Sequence, residues 1–216
     1  FPFFWLYSGL TGRYRKGLKE RLGFLPQELA LHAVGSPRIW IHAVSMGEVK
    51  VAAPIVESLT KLLPQSSIIV SSTTDHGIDL ARETFGKEVL VVYAPIDTVF
   101  SVRKALSSLR PDLLLFLETE IWPAWITEAR RMGIKTARVN GRISVRSIGR
   151  YLKLKPFFRV LLSNVDVFSM ISQEDADRIQ ALGAVPHKIK VNGNAKYDLL
   201  ATLTDPAMER ETRRIL

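Results

Sequence analysis

The sequence predicts an α/β fold built on a doubly wound parallel sheet, and three observations predict it. From residue 38 onward, short apolar runs alternate with longer segments of helical period. Many of those runs are apolar at successive positions, as strands covered on both faces are. Polar residues collect where the runs end, which is where open α/β sheets bind ligands.

The elements follow in order. "RIWIHAV" (38–44) reads as a strand. In the helix after it Val49, Ala52, Val56, Leu59 and Leu62 recur at three- and four-residue spacing and so share one face. Pro54 lies near its first turns, where it is expected to bend the helix. "SIIVSST" (67–73) is a strand, "HGIDLARETFG" (76–86) a helix closed by Gly86, "VLVVY" (89–93) a strand and "TVFSVRKALSSL" (98–109) a helix. "DLLLFLE" (112–118) is the most apolar strand, and "PAWITEARRMG" (123–133) is a helix that starts at Pro and ends at Gly, the usual asymmetry. Then come "KTARVN" (135–140, strand), one helix around 144–162, "VDVFSMIS" (165–172, strand), "QEDADRIQALG" (173–183, helix) and "KIKVNGN" (188–194, strand and turn). That makes seven strands. The expected organisation is an aromatic and basic membrane-proximal segment over 1–24, one α/β domain over 25–194, and a polar linker over 195–216.

Composition bounds the function. With 216 residues, 47% of them hydrophobic, the chain can bury a sizeable core and is not disordered by composition. It has no Cys, which excludes disulfides and thiolate metal sites and fits a reducing compartment. Its apolar runs fall short of the roughly 18 residues a membrane span needs. It opens on Phe1 rather than Met, so an upstream segment stays open as an expectation. The formal charge of +9 favours an anionic partner: nucleic acid, acidic lipid or a phosphorylated substrate. Directly behind "FPFFWLY" stands the basic run Arg13, Arg15, Lys16, Lys19 and Arg21. Adjacent aromatic and basic clusters suit an interfacial membrane foot. They equally suit a solvated helix whose aromatics pack on the domain.

The strand ends supply the candidate site. They carry Ser45, Gly47 and Glu48; Ser72, Thr73, Thr74 and Gly77; Pro95 and Asp97; Glu118, Thr119, Glu120 and Trp122; Asn140 and Arg142; Gln173; and Asn194 and Lys196. Ser45, Thr74, Asp97 and Ser144 have an ordinary alternative use as helix caps. No G-x-G-x-x-G and no P-loop occurs, so a phosphate-gripping loop is not encoded. The acids are harder to explain away. Glu48 sits in a helix's first turn, where the dipole favours it. "ETE" (118–120) ends an apolar strand in two carboxylates, and Arg142 is available to neutralise one. The residues alone imply an acid-bearing cleft with a candidate general base and leave the reaction open.

Seven segments together carry a family resemblance: "HAVSMGEVKVAAP", "SSTTDHG", "YAPID", "LETEIWP", "VNGRIS", "SQEDADRIQALG" and "VNGNAKYD". In this order, over roughly residues 2–200, the chain resembles the Kdo transferases, which attach 3-deoxy-D-manno-octulosonic acid (Kdo) to the lipid A precursor of Gram-negative bacteria. The resemblance implies the Rossmann-like N-terminal half of a two-domain GT-B glycosyltransferase. Such an enzyme inverts the anomeric centre of CMP-Kdo and needs neither a cofactor nor an enzyme-bound metal. Its first half receives the acceptor, lipid IVA, and its second half, expected beyond Leu216, grips the nucleotide sugar. The resemblance makes Glu48 the general base, ionised near neutral pH. Glu118 and Glu120 would orient acceptor or sugar, and Arg142 and Lys196 would balance the Kdo carboxylate or acceptor phosphates. Ser45, Gly47, Thr73, Thr74, Trp122, Asn140, Gln173 and Asn194 complete the expected substrate-binding rim. A lipid acceptor also implies the cytoplasmic face of the inner membrane, with Phe1, Phe3, Phe4, Trp5 and the basic run through Arg21 as the foot. The competing reading is a basic nucleic-acid- or anion-binding domain without catalysis. Against nucleic acid, Trp40, Trp122 and Trp125 form no stacking strip and no recognised motif appears.

Overall fold

The computed structural model describes residues 16–25 and 35–195. Its elements are α1 (Leu18–Arg21), β1 (Arg38–His42), α2 (Met46–Leu62), β2 (Ser67–Ser72), α3 (Asp75–Phe85), β3 (Leu90–Tyr93), α4 (Val99–Leu109), β4 (Leu113–Leu117) and α5 (Pro123–Arg131). They continue with β5 (Lys135–Gly141), α6 (Val145–Lys153), α7 (Lys155–Ser163), β6 (Val167–Met170), α8 (Gln173–Ala181), a 3-10 turn (Pro186–Lys188) and β7 (Ile189–Val191).

The seven strands form one sheet in the order β3-β2-β1-β4-β5-β6-β7, and every pairing is parallel. From β1 the chain winds outward through β2 and β3, then returns to β4 on the other side of β1. The carboxyl ends of β1 and β4 therefore flank the topological switch point, the crevice where doubly wound sheets place ligands. Successive side chains alternate between faces. Trp40, Ile69, Val92, Leu114, Phe116 and Phe168 pack beneath α4, α5, α7 and α8, while Ile39, Ile41, Val70, Leu115 and Leu117 pack beneath α2 and α3. Both faces of the central strands are covered, as the apolar runs require.

Two expectations change. The helix around 144–162 is two helices that break at Leu154, because Pro156 cannot donate to the preceding turn and its ring crowds it. Helix α2, by contrast, runs through Pro54 to Leu62. The segment before residue 25 is packed on the domain where it is described. Tyr93 N donates to Glu20 Oε2 at 2.7 Å, and Ile96 N to the Arg21 carbonyl at 2.8 Å. Arg21 does not face outward as a membrane foot would need: it is 2% exposed. Its guanidinium donates to the carbonyls of Lys16 and Thr73 at 3.0 and 2.8 Å, pairs with Asp75 at 3.5 Å and lies 4.4 Å over the Tyr93 ring. A planar fork of five donors suits such a carbonyl-lined site. Lys16 and Lys19 are exposed. Phe1, Phe3, Phe4, Trp5, Arg13, Arg15, Lys196 and the 196–216 stretch lie outside the described residues.

Candidate active site

Glu48 stands in the first turn of α2, beside the carboxyl end of β1, and is 7% exposed. Its Oε2 accepts the Val44 N–H at 2.8 Å, so the side chain folds back over its own helix start much as a capping-box Glu does. Val44 is pinned in turn. Its carbonyl accepts the hydroxyls of Ser72 and Thr73 at 3.1 and 2.8 Å, which ties the loop after β1 to the end of β2. The carboxylate is thus held by a peptide that is itself held from the neighbouring strand. Among the described residues Oε1 carries no protein hydrogen bond.

Burial pushes the Glu48 carboxyl up from 4.5 to about 7. The Val44 N–H opposes that, the charges of Glu118 and Glu120 raise it further, and Arg138 pulls it back. This corrects the expectation of a fully ionised group: near neutral pH about half of Glu48 is protonated. The cause is desolvation, which helix-dipole reasoning leaves out.

The turn after β4 brings the second pair of acids. Glu118 is buried and adopts a left-handed backbone (φ 53°). Its Oε2 accepts from Arg142 Nη2 at 2.7 Å, the expected neutralisation. Glu120 is exposed as a residue, yet partial desolvation of its carboxyl raises it, with Arg138 opposing. Arg138 is the residue that sequence reasoning missed. It is 2% exposed, and its guanidinium donates to the main-chain carbonyls of Glu118, at 2.8 Å, and Glu120. Burial lowers it to about 10, and it still carries its charge at neutral pH. The signal was present in the period of β5, where Thr136, Arg138 and Asn140 share one buried face.

His42 is the second unforeseen group. It ends β1, 1% exposed, with Nδ1 3.0 Å from Ser71 Oγ, which also accepts from Trp40 Nε1 at 2.8 Å. Burial lowers it to about 3, so it is a neutral imidazole. It stacks on Trp125 (centroids 4.9 Å apart) and meets Trp122 edge-on at 5.0 Å. Asp97, after β3, fixes this pair by accepting from Ala124 N and Trp125 N at 2.9 and 3.2 Å. Asp97 is a cap, then, for α5 rather than for the helix that follows it.

The other expected residues divide. Thr74 and Ser144 cap their own helices, bonding Gly77 N and Arg146 N, whereas Ser45 occupies the cap position of α2 without a side-chain bond. Thr73 serves Val44, as above. Asn140, left-handed at φ 53° and buried, accepts from Ala195 N at 2.9 Å and so draws the Asn194 segment toward the rim. Gln173 is exposed at the end of β6 and bonds Asp177 at 2.8 Å, which commits it to its own helix. Gly47 is exposed, and a Cβ there would meet nothing closer than Ser45 Oγ at 3.7 Å, so the fold itself does not demand glycine. The switch point therefore gathers Glu48, Glu118, Glu120, Arg138 and Arg142. Among the described residues, no group of three or more His, Asp or Glu side chains is placed to hold a metal ion.

A parallel sheet of this order, wound both ways from β1, is a Rossmann-like α/β domain. Its fold is similar to that of a UDP co-structure of S. aureus MnaA (TM-score 0.56, 17% identity, covering 79% of this chain and 48% of that one). It is also similar to UDP-GlcNAc 2-epimerase from Neisseria meningitidis bound to UDP-GlcNAc (TM-score 0.56, 13% identity, 83% and 53% covered). The particular family follows from sequence: residues 16–199 match the model of the 3-deoxy-D-manno-octulosonic-acid transferases (Kdo transferases), and the chain belongs to that family. It is 34% identical to the 3-deoxy-D-manno-octulosonic acid transferase of Haemophilus influenzae over 197 residues, 91% of this chain and 45% of that protein. It is also 34% identical to the enzyme of the same name from Chlamydia pneumoniae, over 97% of this chain and 47% of that protein. A bifunctional glycosyltransferase/methyltransferase of Fusobacterium nucleatum is 33% identical over 82% of this chain and 28% of its own length. The chain spans about half the length of the Kdo transferases it matches.

Proposed function

We propose that this chain is the acceptor-binding half of an enzyme that transfers Kdo from CMP-Kdo to a lipid A precursor, lipid IVA, in lipopolysaccharide synthesis, with Glu48 as the general base. A hydroxyl of the acceptor attacks the anomeric carbon of Kdo. Its proton passes to the Glu48 carboxylate as the new C–O bond forms. The bond from the anomeric carbon to the CMP phosphate breaks on the opposite face, and its electron pair leaves with the phosphate, so the centre inverts. Glu118, held by Arg142, and Glu120 orient the sugars, and the cationic side chains of the rim meet the carboxylate and phosphates of the substrates. The reaction takes place at the cytoplasmic face of the inner membrane.

The observation that carries this reading is the setting of Glu48: buried at the switch point, anchored through Oε2 and, among the described residues, with Oε1 uncommitted. A base whose conjugate acid titrates near the working pH balances proton affinity against the fraction in the basic form. A lone dipole-stabilising Glu would lie in solvent and stay ionised. Family membership supports the substrate class. The test is incubation of the full-length protein with CMP-Kdo and lipid IVA. The reading predicts a product heavier by Kdo, with the anomeric configuration inverted by NMR. Retained configuration, or no glycosylated lipid, overturns it.

A further inference from the structure

Two cationic side chains are buried among the described residues, Arg138 and Arg21. Arg138 stands among the acids of the switch point, whereas Arg21 comes from α1, which precedes the first strand of the sheet. The bonds of α1 fall along one edge. Glu20 Oε2 accepts from Tyr93 N at the end of β3, the Arg21 carbonyl accepts from Ile96 N, and the Arg21 guanidinium donates at 2.8 Å to the Thr73 carbonyl just past β2. A Cβ on Gly17 would strike the Tyr93 ring, so the entry to α1 lies hard against the same edge. This short helix is a brace across the carboxyl ends of β2 and β3.

The brace continues into the site. Thr73, gripped at its carbonyl by Arg21, grips Val44 in turn: its N–H and its hydroxyl both donate to the Val44 carbonyl, at 3.3 and 2.8 Å. Val44 N then donates to Glu48 Oε2 at 2.8 Å. Ser45 gives α2 no side-chain cap bond, so this N–H is what ties the carboxylate to the loop after β1. A clamp that only fastened α1 to the domain could end on any carbonyl of the edge. This one ends on the residue that fixes Val44.

We propose that Arg21 is a positioning residue for Glu48: by fixing Thr73 it fixes Val44, and with it the N–H that aims the carboxylate. As far as turnover is concerned, the inference rests on the reading of Glu48 as the base; the coupling itself does not. The charges that act on Glu48 are those of Glu118, Glu120 and Arg138, while Arg21 faces Asp75, the Tyr93 ring and the carbonyls of Lys16 and Thr73. Arg21 therefore works through bonds and not through its field. Lysine at this position keeps a cation for Asp75 but lacks the planar fork that holds both carbonyls. Once the Val44 N–H slackens, Glu48 loses a hydrogen bond that favours its charged form, and its carboxyl rises beyond the value of about 7 that burial gives it.

The test has two readouts. In the 216-residue chain, isotope-labelled at the glutamate carboxyls, an NMR titration follows Glu48, whose signal is the one that Glu48→Gln removes. The wild-type midpoint is expected near 7. Arg21→Lys should raise it by about one pH unit, the scale of one hydrogen bond to a carboxylate. Thr73→Val is nearly isosteric, keeps the carbonyl that Arg21 holds and loses the hydroxyl on Val44, so it should raise the midpoint by less and tests the path even where Arg21→Lys folds poorly. The second readout is the full-length enzyme with CMP-Kdo and lipid IVA, with folding checked by circular dichroism. There Arg21→Lys should lower kcat about ten- to a hundredfold with KM for both substrates nearly unchanged. The acidic limb of its pH–rate profile should move up with the NMR midpoint, and on a Glu48→Gln background the substitution should cost nothing further, because the two residues act as one unit. A wild-type midpoint in both variants overturns the proposal, as do an unmoved acidic limb or losses that multiply in the double variant, which assign Arg21 to stability alone. Glu48→Gln turning over at the wild-type rate beside a shifted midpoint overturns the base reading and leaves the coupling standing, so the two failures are separately visible.

Discussion

Glu48→Gln should make the fold more stable at alkaline pH, and the size of the gain follows from the site. The Glu48 carboxyl lies at about 7 in the fold against 4.5 ordinarily, because burial disfavours its charged form. Raised in the folded state, it contributes most favourably when protonated, and stability is lost as pH climbs from the unfolded value through the folded one. At about 1.4 kcal/mol for each pKa unit, the loss between pH 4 and pH 8 comes to about 3 kcal/mol. Glutamine keeps an oxygen for the Val44 N–H and carries no charge, so the variant escapes this loss. Other carboxylates titrate over the same range, but they do so in both proteins, and the difference between the two isolates Glu48. The assay is urea unfolding of both at pH 4 and pH 8. The two should be nearly equal in acid, with the variant ahead by up to about 3 kcal/mol at pH 8. A variant no more stable at pH 8 than at pH 4, relative to wild type, would refute the claim that Glu48 is a desolvated carboxylate.

Arg138→Met removes the buried cation that lowers Glu48, so the acidic limb of the pH–rate profile of the full-length enzyme should move to higher pH; an unchanged limb assigns Arg138 to structure alone. The same change removes the guanidinium bonds to the Glu118 and Glu120 carbonyls, of which the first keeps the Arg142 N–H at 3.3 Å, and should cost about 2 to 5 kcal/mol in chemical denaturation. Arg21→Met should cost about 2 to 4 kcal/mol by the same measurement, from the lost bonds to Thr73 and Lys16.

The α/β class and all seven strands were legible because buried parallel strands are written as apolar runs between helical periods. Glu48, Glu118, Glu120 and Arg142 were legible because charge at the end of such a run has few structural uses. What stayed hidden depended on orientation. Arg138 and His42 look like interruptions of apolar strands, and only the face they share with Thr136, Asn140 and Trp40 shows that they turn inward. Arg21 reads as one more cation in a basic run, and no local pattern reveals the cavity of carbonyls that takes it. Thr73 and Thr74 stand where ligands bind, yet their hydroxyls meet backbone groups that the loop turns toward them. The break at Leu154 was written in the chain as Pro156, and helical period alone passed over it.

The most direct test of the account is the transfer rate of full-length Glu48→Gln, measured in single turnover with CMP-Kdo and lipid acceptor across pH 5 to 9. The account predicts a wild-type rate that rises through a midpoint near 7, the value burial gives Glu48. In a folded variant that still binds acceptor, it predicts a rate lower by about 10² to 10⁴ with that limb gone. A variant that keeps more than a tenth of the wild-type rate, on the wild-type limb, would contradict it and move the base to Glu118 or Glu120.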